Sequence, residues 1–109
     1  MESALAAPLL SIDILRRDDM AVAMCRGELD VSCAGALEAR LRRAFDEGVR
    51  DIVVNLRDVT FMDSAGLEAL LRAAEHARWR YGHLFVTRPT PQVKRLIRLT
   101  ATDDRLRFV

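Results

Sequence analysis

Ser64 is the residue with the most chemistry to offer. It follows Asp63 and precedes the small pair Ala65-Gly66. A β-branched apolar run, Ile52 to Leu56, comes before it. After it, Leu67, Leu70, Leu71 and Ala74 recur at the three-and-four spacing of one apolar helix face. Asp63 and Ser64 are both good N-cap residues, so a serine hydroxyl falls at or beside a helix N-terminus. Free amides and the helix dipole favour an anion there. A phosphate on that hydroxyl would bring a charge of about −1.5 to −2 and three acceptor oxygens to a place able to hold them.

Catalysis by the chain itself fits poorly. Ser64, Asp63, His76 and His83 supply the residue types of a hydrolase triad, but Ser64 lacks the preceding glycine that a nucleophile elbow requires. His76 lies on the helix that Ser64 begins, about 18 Å along its axis, too far to serve as a general base. Both histidines read as surface residues. No glycine-rich phosphate loop and no metal-ligand spacing occurs, so neither cofactor nor metal is expected. Cys25 and Cys33 stand without a second pair or flanking histidines, and read as reduced, partly buried thiols.

The elements that must position Ser64 follow from period changes along the chain. Met1 to Pro8 reads as a frayed terminus. From Leu9, residues Leu10, Ile12 and Ile14 alternate with Ser11 and Asp13, and a charged turn at Arg16 to Asp19 leads to a second strand, Met20 to Arg26. So short a link predicts an antiparallel hairpin. Gly27 to Asp30 breaks the strand pattern. A helix then runs from about Ser32, with Leu37, Leu41, Ala44 and Phe45 inward. Asp30 or Ser32 can cap it, Gly48 can end it, and Glu38 and Arg42 form an outward pair. The strand Ile52 to Leu56 is followed by the Ser64 helix, ending near Gly82, and by a strand at Leu84 to Thr87. Thr90-Pro91 opens a third helix with Val93, Leu96, Ile97 and Thr100 inward. Lys94, Arg95 and Arg98 on its outer side read as a solvated face, and Trp79 and Tyr81 as cover for the core's edge. Leu106 and Phe108 suggest a short edge strand.

Strands alternating with helices predict an α/β fold: a mixed sheet of four to five strands, an N-terminal antiparallel hairpin, and three to four helices packed on it. The 109 residues, half of them apolar, suit one domain with a core. No run is long enough to span a bilayer, and Met1 to Leu10 lacks a basic lead, so the expected location is the cytoplasm. A formal net charge of +1 gives no reason to invoke direct binding of nucleic acid.

Phe61-Met62 followed by Asp63-Ser64-Ala65-Gly66-Leu67 resembles the signature of the STAS domain, the sulfate-transporter and anti-sigma-factor-antagonist domain. Gly27-Glu28-Leu29-Asp30, Val53-Val54-Asn55-Leu56 and Pro91 to Leu96 are similar to further family segments in the same order. The resemblance spans nearly the whole chain, so that residues 1–8 form a flexible N-terminus and residues 9–109 a single STAS domain. It implies an anti-sigma factor antagonist rather than an enzyme. Its unphosphorylated form would bind an anti-sigma factor with serine kinase activity and thereby release a sigma factor for transcription. Phosphorylation at Ser64 would switch binding off, and a serine phosphatase would reset it. The implied partner-binding residues are Asp30, Asp63, Ser64, Ala65, Gly66, Leu67 and Glu68, with Asp30 assisting kinase contact or phosphate transfer. The resemblance also admits a homodimer, and a scaffold subunit in a stress-sensing or lipid-transport complex. Ala65 replaces a second serine common in antagonists. Glu68 replaces a small residue, and with Asp63 it puts acidity beside Ser64 with no cation expected nearby.

Overall fold

The computed structural model describes residues 9–102 and 104–109. The flexible segment expected at residues 1–8 lies outside them. Five strands and three helices are present: β1 Leu10–Arg17, β2 Met20–Leu29, α1 Val31–Asp46, β3 Asp51–Met62, α2 Ser64–Trp79, β4 His83–Thr87, α3 Pro91–Leu99 and β5 Arg107–Phe108. β1 and β2 form the antiparallel hairpin, and every other pairing is parallel, in the order β1-β2-β3-β4-β5.

Because each parallel crossover steps to the next strand in the same direction, right-handed connections put all three helices on one face of the sheet. Burial follows that rule. The register rows Ala21-Ile52-Leu84 and Ala23-Val54-Val86 are buried under the helices, whereas Val22, Val53 and Phe85 on the other face are only half-buried. Leu37, Leu41 and Phe45 of α1 and Leu70 of α2 complete the core. Ala69, Ala73 and Ala77 are fully buried on α2, and side chains this small let it lie close to sheet and neighbouring helix.

Two strands are longer than their sequence patterns. β2 does not stop before Gly27: it bulges there and continues to Leu29. Gly27 takes φ +113°, and a Cβ on it would lie 2.0 Å from the Leu9 carbonyl oxygen, which accepts the Glu28 amide at 2.9 Å. β3 likewise runs past Leu56 to Met62. Only Asp51 to Asn55 pair with β4, so the far half of β3 has an open edge on that side. Side chains close it. Thr90 Oγ1 donates to the Val59 carbonyl at 3.0 Å, while the Gln92 amide accepts from Met62 N at 2.9 Å and donates to Met62 O at 3.1 Å.

The helix ends show why particular residues are needed. α1 ends in a Schellman motif, with Gly48 at φ +107° and Val49 N donating to Ala44 O at 3.1 Å. α2 closes the same way, but the left-handed residue is Tyr81 at φ +59°, not Gly82. Gly82 is demanded by contact instead, since a Cβ there would sit 2.0 Å from the Arg50 carbonyl oxygen. This ending turns Trp79 and Tyr81 outward at 77% and 88% exposure, so they do not cover the core's edge. Glu38 also departs from expectation. It does pair with Arg42, at 3.2 Å, but its side chain is only 13% exposed and also holds Arg72 of α2 at 2.9 Å, in the seam between the two helices.

Two glycine substitutions should therefore differ in sign. Gly82→Ala forces a Cβ into the Arg50 backbone and is expected to cost about 1–3 kcal/mol or more. Gly35→Ala, inside α1 with nothing within 4 Å of the added methyl, should gain about 0.5–1 kcal/mol. Urea denaturation of both variants beside the parent measures the difference.

Candidate functional site

The site lies where the carboxyl ends of β2 and β3 meet. Leu29 and Met62 are register partners, and Asp63 N donates to Leu29 O at 3.3 Å. Each strand then delivers an aspartate that caps the next helix. Asp30 Oδ1 accepts the Ser32 amide at 2.9 Å and also the Ser32 hydroxyl. Of the two residues able to cap α1, Asp30 is the one that does. The Ser32 hydroxyl and amide hold the Asp30 carboxyl below its ordinary value, so it is ionised at neutral pH.

Asp63, not Ser64, caps α2, and its carboxylate spans both loops. Oδ1 accepts the Gly66 amide at 3.0 Å, while Oδ2 accepts the Val31 amide at the start of α1 at 3.2 Å. One side chain thus ties two helix N-termini together, bringing the Asp30 and Ser64 loops side by side. Ser64 becomes the first residue of α2, is exposed, and makes no side-chain hydrogen bond among the described residues. Gly66 is buried because α2 descends onto β2. A Cβ there would lie 2.6 Å from Leu29 O and 2.7 Å from Leu29 Cγ. Leu67, 2% exposed, points into the core as well. Gly66 and Leu67 therefore support the loop from beneath, whereas Ser64 and Glu68 are exposed and Asp30, Asp63 and Ala65 half-buried.

Three neighbours were not among the site residues expected from the sequence. Val31 and Phe61 are apolar yet 74% and 41% exposed, and they flank the two caps. Phe61 faces outward because the bulged register moves it opposite Glu28. Gln92 is the third: its clamp on Met62 fixes the residue just ahead of Asp63. The proline-glutamine pair opening α3 was its only sequence signal. Glu68 is not without a cation, since Arg72 one turn on binds it at 3.0 Å.

Both histidines and Cys25 lie away from Ser64. His76 binds Asp46 at 2.7 Å at the far end of α1, and that hydrogen bond is the chief cause holding Asp46 below its ordinary value. His83 binds Asp51 at 3.0 Å where β3 and β4 begin, at the opposite end of β3 from Ser64. Burial pushes the Cys25 thiol up to about 12, which leaves it unreactive. Cys33 is free and half-buried within the site, its Sγ donating to Glu28 O at 3.3 Å and lying 3.5 Å from Asp30 O. Among the described residues no group of three or more potential ligands could hold a metal, and no helix is long and apolar enough to cross a membrane.

Residues 11–109 match the family model described as the STAS domain. The chain belongs to the STAS domain family. An anti-sigma-B factor antagonist of Staphylococcus epidermidis is 30% identical over 95 residues, covering 87% of this chain and 88% of that protein. By homology this STAS domain groups with the anti-sigma factor antagonists. A crystal structure of an anti-sigma factor antagonist from Mycobacterium paratuberculosis superposes with a TM-score of 0.80 at 27% identity, covering 94% of this chain and 88% of that one. The anti-sigma factor antagonist SpoIIAA in its unphosphorylated form shares the fold with a TM-score of 0.79 at 20% identity over 91% and 88% of the two chains. The phosphorylated form of SpoIIAA, described as a Bacillus cell fate determinant, gives 0.72 at 19% identity and 91% coverage of both.

The double role of Asp63 has a measurable consequence. Asp63→Ala removes a helix cap and a hydrogen bond between loops, and should cost about 1–3 kcal/mol. Amide exchange at Val31 and Gly66 should accelerate beyond the change seen at core amides. Equal acceleration at every amide would mean that the carboxylate is a general stabiliser and not a tie between the loops.

Proposed function

We propose that this STAS domain is an anti-sigma factor antagonist whose partner binding is controlled by phosphorylation of Ser64. Unphosphorylated, it binds an anti-sigma factor that is also a serine kinase, and so frees a sigma factor. That kinase transfers phosphate from ATP to the Ser64 hydroxyl, the complex dissociates, and a separate serine phosphatase restores the free hydroxyl. The observation that carries this reading is an exposed serine hydroxyl at the first position of α2, unused by the fold and held on a backbone pinned from below.

The chemistry supports it from both sides. Within the monomer, a phosphate at a helix N-terminus is compatible with the dipole and the free amides, so the domain survives modification. The fold shared with SpoIIAA accommodates a phosphorylated state in that protein. At an interface the balance reverses. Exposed Val31 and Phe61 supply apolar area around Ser64, and Asp30, Ala65 and Glu68 complete the contact surface. A partner closing over this patch strips water from the hydroxyl at little cost if one hydrogen bond remains, whereas an unpaired charge costs far more. Arg72 is already shared between Glu38 and Glu68, so it offers little compensation to a phosphate.

Because Asp63 is the cap, Ser64→Ala should leave stability within about 0.5 kcal/mol of the parent, retain partner binding and accept no phosphate. Urea denaturation, calorimetric titration with the cognate anti-sigma factor, and phosphopeptide mapping after incubation with ATP test these in turn. Phosphate found mainly on Thr60 or Ser32 would overturn the assignment.

Phosphorylation should weaken binding by a factor of roughly 30 to a few thousand, the equivalent of burying an uncompensated charge. Ser64→Asp, with one charge and two oxygens, should fall between the two forms. Titrating the partner with all three forms decides the matter, since equal affinities would remove the switch and favour a scaffold.

A further inference from the structure

A cavity of about 380 Å³ opens on the side of the domain, between the β4–α3 loop, α3 and β5. Ile97, Phe108 and Pro89 form its apolar wall, and Arg88, Lys94 and Arg98 stand around it. Its volume lies within the ordinary range for small-molecule sites. No carboxylate among the described residues is within ion-pair distance of these three cations. Arg88 also sits at φ +53°, a left-handed conformation that non-glycine residues adopt at a cost. The far wall is fixed as well. Phe108 pairs with Val86 in the sheet, Val109 N donates to Val86 O at 3.1 Å, and Thr87 Oγ1 donates to Val109 O at 3.2 Å.

The geometry points to a binding site for a small anionic amphiphile, a carboxylate carried on a short hydrocarbon or aromatic body. Three cations line one cavity, and among the described residues none of them is within ion-pair distance of a carboxylate, which favours a ligand of negative charge. The apolar wall of Ile97, Phe108 and Pro89 takes the body, adding a contribution for every methylene removed from water. A simple inorganic anion would leave that wall wet, and an uncharged hydrocarbon would leave the cations unanswered. The site is separate from Ser64 and does not depend on the proposed switch.

Octanoate is the probe, titrated into ¹⁵N-labelled protein and followed by amide chemical shifts. Saturable shifts are expected at Arg88, Ile97 and Phe108. Acetate supplies the charge without the body and octanol the body without the charge, and each should bind at least about tenfold more weakly than octanoate. Lys94→Glu and Arg98→Glu should each weaken octanoate by about fivefold or more. Arg95→Glu makes the same charge change on the same helix outside the cavity, and should alter affinity by less than about twofold. All three positions are exposed, so the variants keep the fold, which their own amide spectra verify. Equal losses from Arg95→Glu and Arg98→Glu would overturn the site, as would octanol binding as tightly as octanoate, or shifts clustered elsewhere. A response to phosphatidylglycerol vesicles alone, with none to dispersed octanoate, would replace it with a membrane surface contact.

Discussion

A carboxyl side chain has two oxygens, and Asp63 uses one on each side of a loop junction. Its own helix and the preceding one both begin with amides that have no partner inside the helix. Asp63 satisfies one of each, with Gly66 at 3.0 Å and Val31 at 3.2 Å. This bridge is feasible only because β2 and β3 are parallel neighbours that end level, with Leu29 opposite Met62. It also requires α2 to come down until Gly66 touches Leu29, which a side chain would prevent. The parallel pairing, the two caps and the glycine two residues after Ser64 are thus one geometric condition. Ser64 is exposed because Asp63 and Gly66 meet that condition without it.

Much of this was legible in the sequence because the physics is local. Helix starts at Val31, Ser64 and Pro91 follow from capping residues, proline and the three-and-four apolar stripes, and they fall within a residue of expectation. The hairpin followed from alternation and a short charged turn. Strand ends were less visible. β2 and β3 continue past the residues that suggest a break, because a bulge at Gly27 and tertiary pairing override the loss of alternation. The choice of Asp63 over Ser64 as cap was also hidden, since both residue types cap well and only the position of α1 decides. Local pattern places Gln92 at the start of α3 but does not reveal its role. Its task is to complete a strand thirty residues earlier in the chain, where β4 is too short to reach.

Charge is distributed with similar economy. The α1–α2 seam carries the alternating set Arg42, Glu38, Arg72 and Glu68; the pairs within each helix add little stability, and Glu38–Arg72 crosses between the helices. The Cys25 thiol and both histidines are bound up in the core or in acid partners away from Ser64. The loop edge therefore offers one exposed free hydroxyl among caps and apolar contacts, with the half-buried Cys33 thiol turned to the Glu28 and Asp30 carbonyls beside it. A regulatory surface of this kind is read by shape and charge, and needs no reactive groups of its own.

The strand order carries a further consequence, in time rather than in space. Because β1 to β5 are adjacent in the order in which they occur in the chain, no strand has to be inserted between two already paired. Each βα unit can dock on the edge left by its predecessor as the chain emerges from the ribosome. Ser64 and its cap are thus in place once β3 and α2 have docked on β2. The Gln92 clamp on Met62 arrives only with α3, after β4 has been added. For that interval during synthesis, the loop bearing Ser64 exists with its capping hydrogen bonds but without its final support. The last third of the chain is therefore what converts a formed loop into a rigid one.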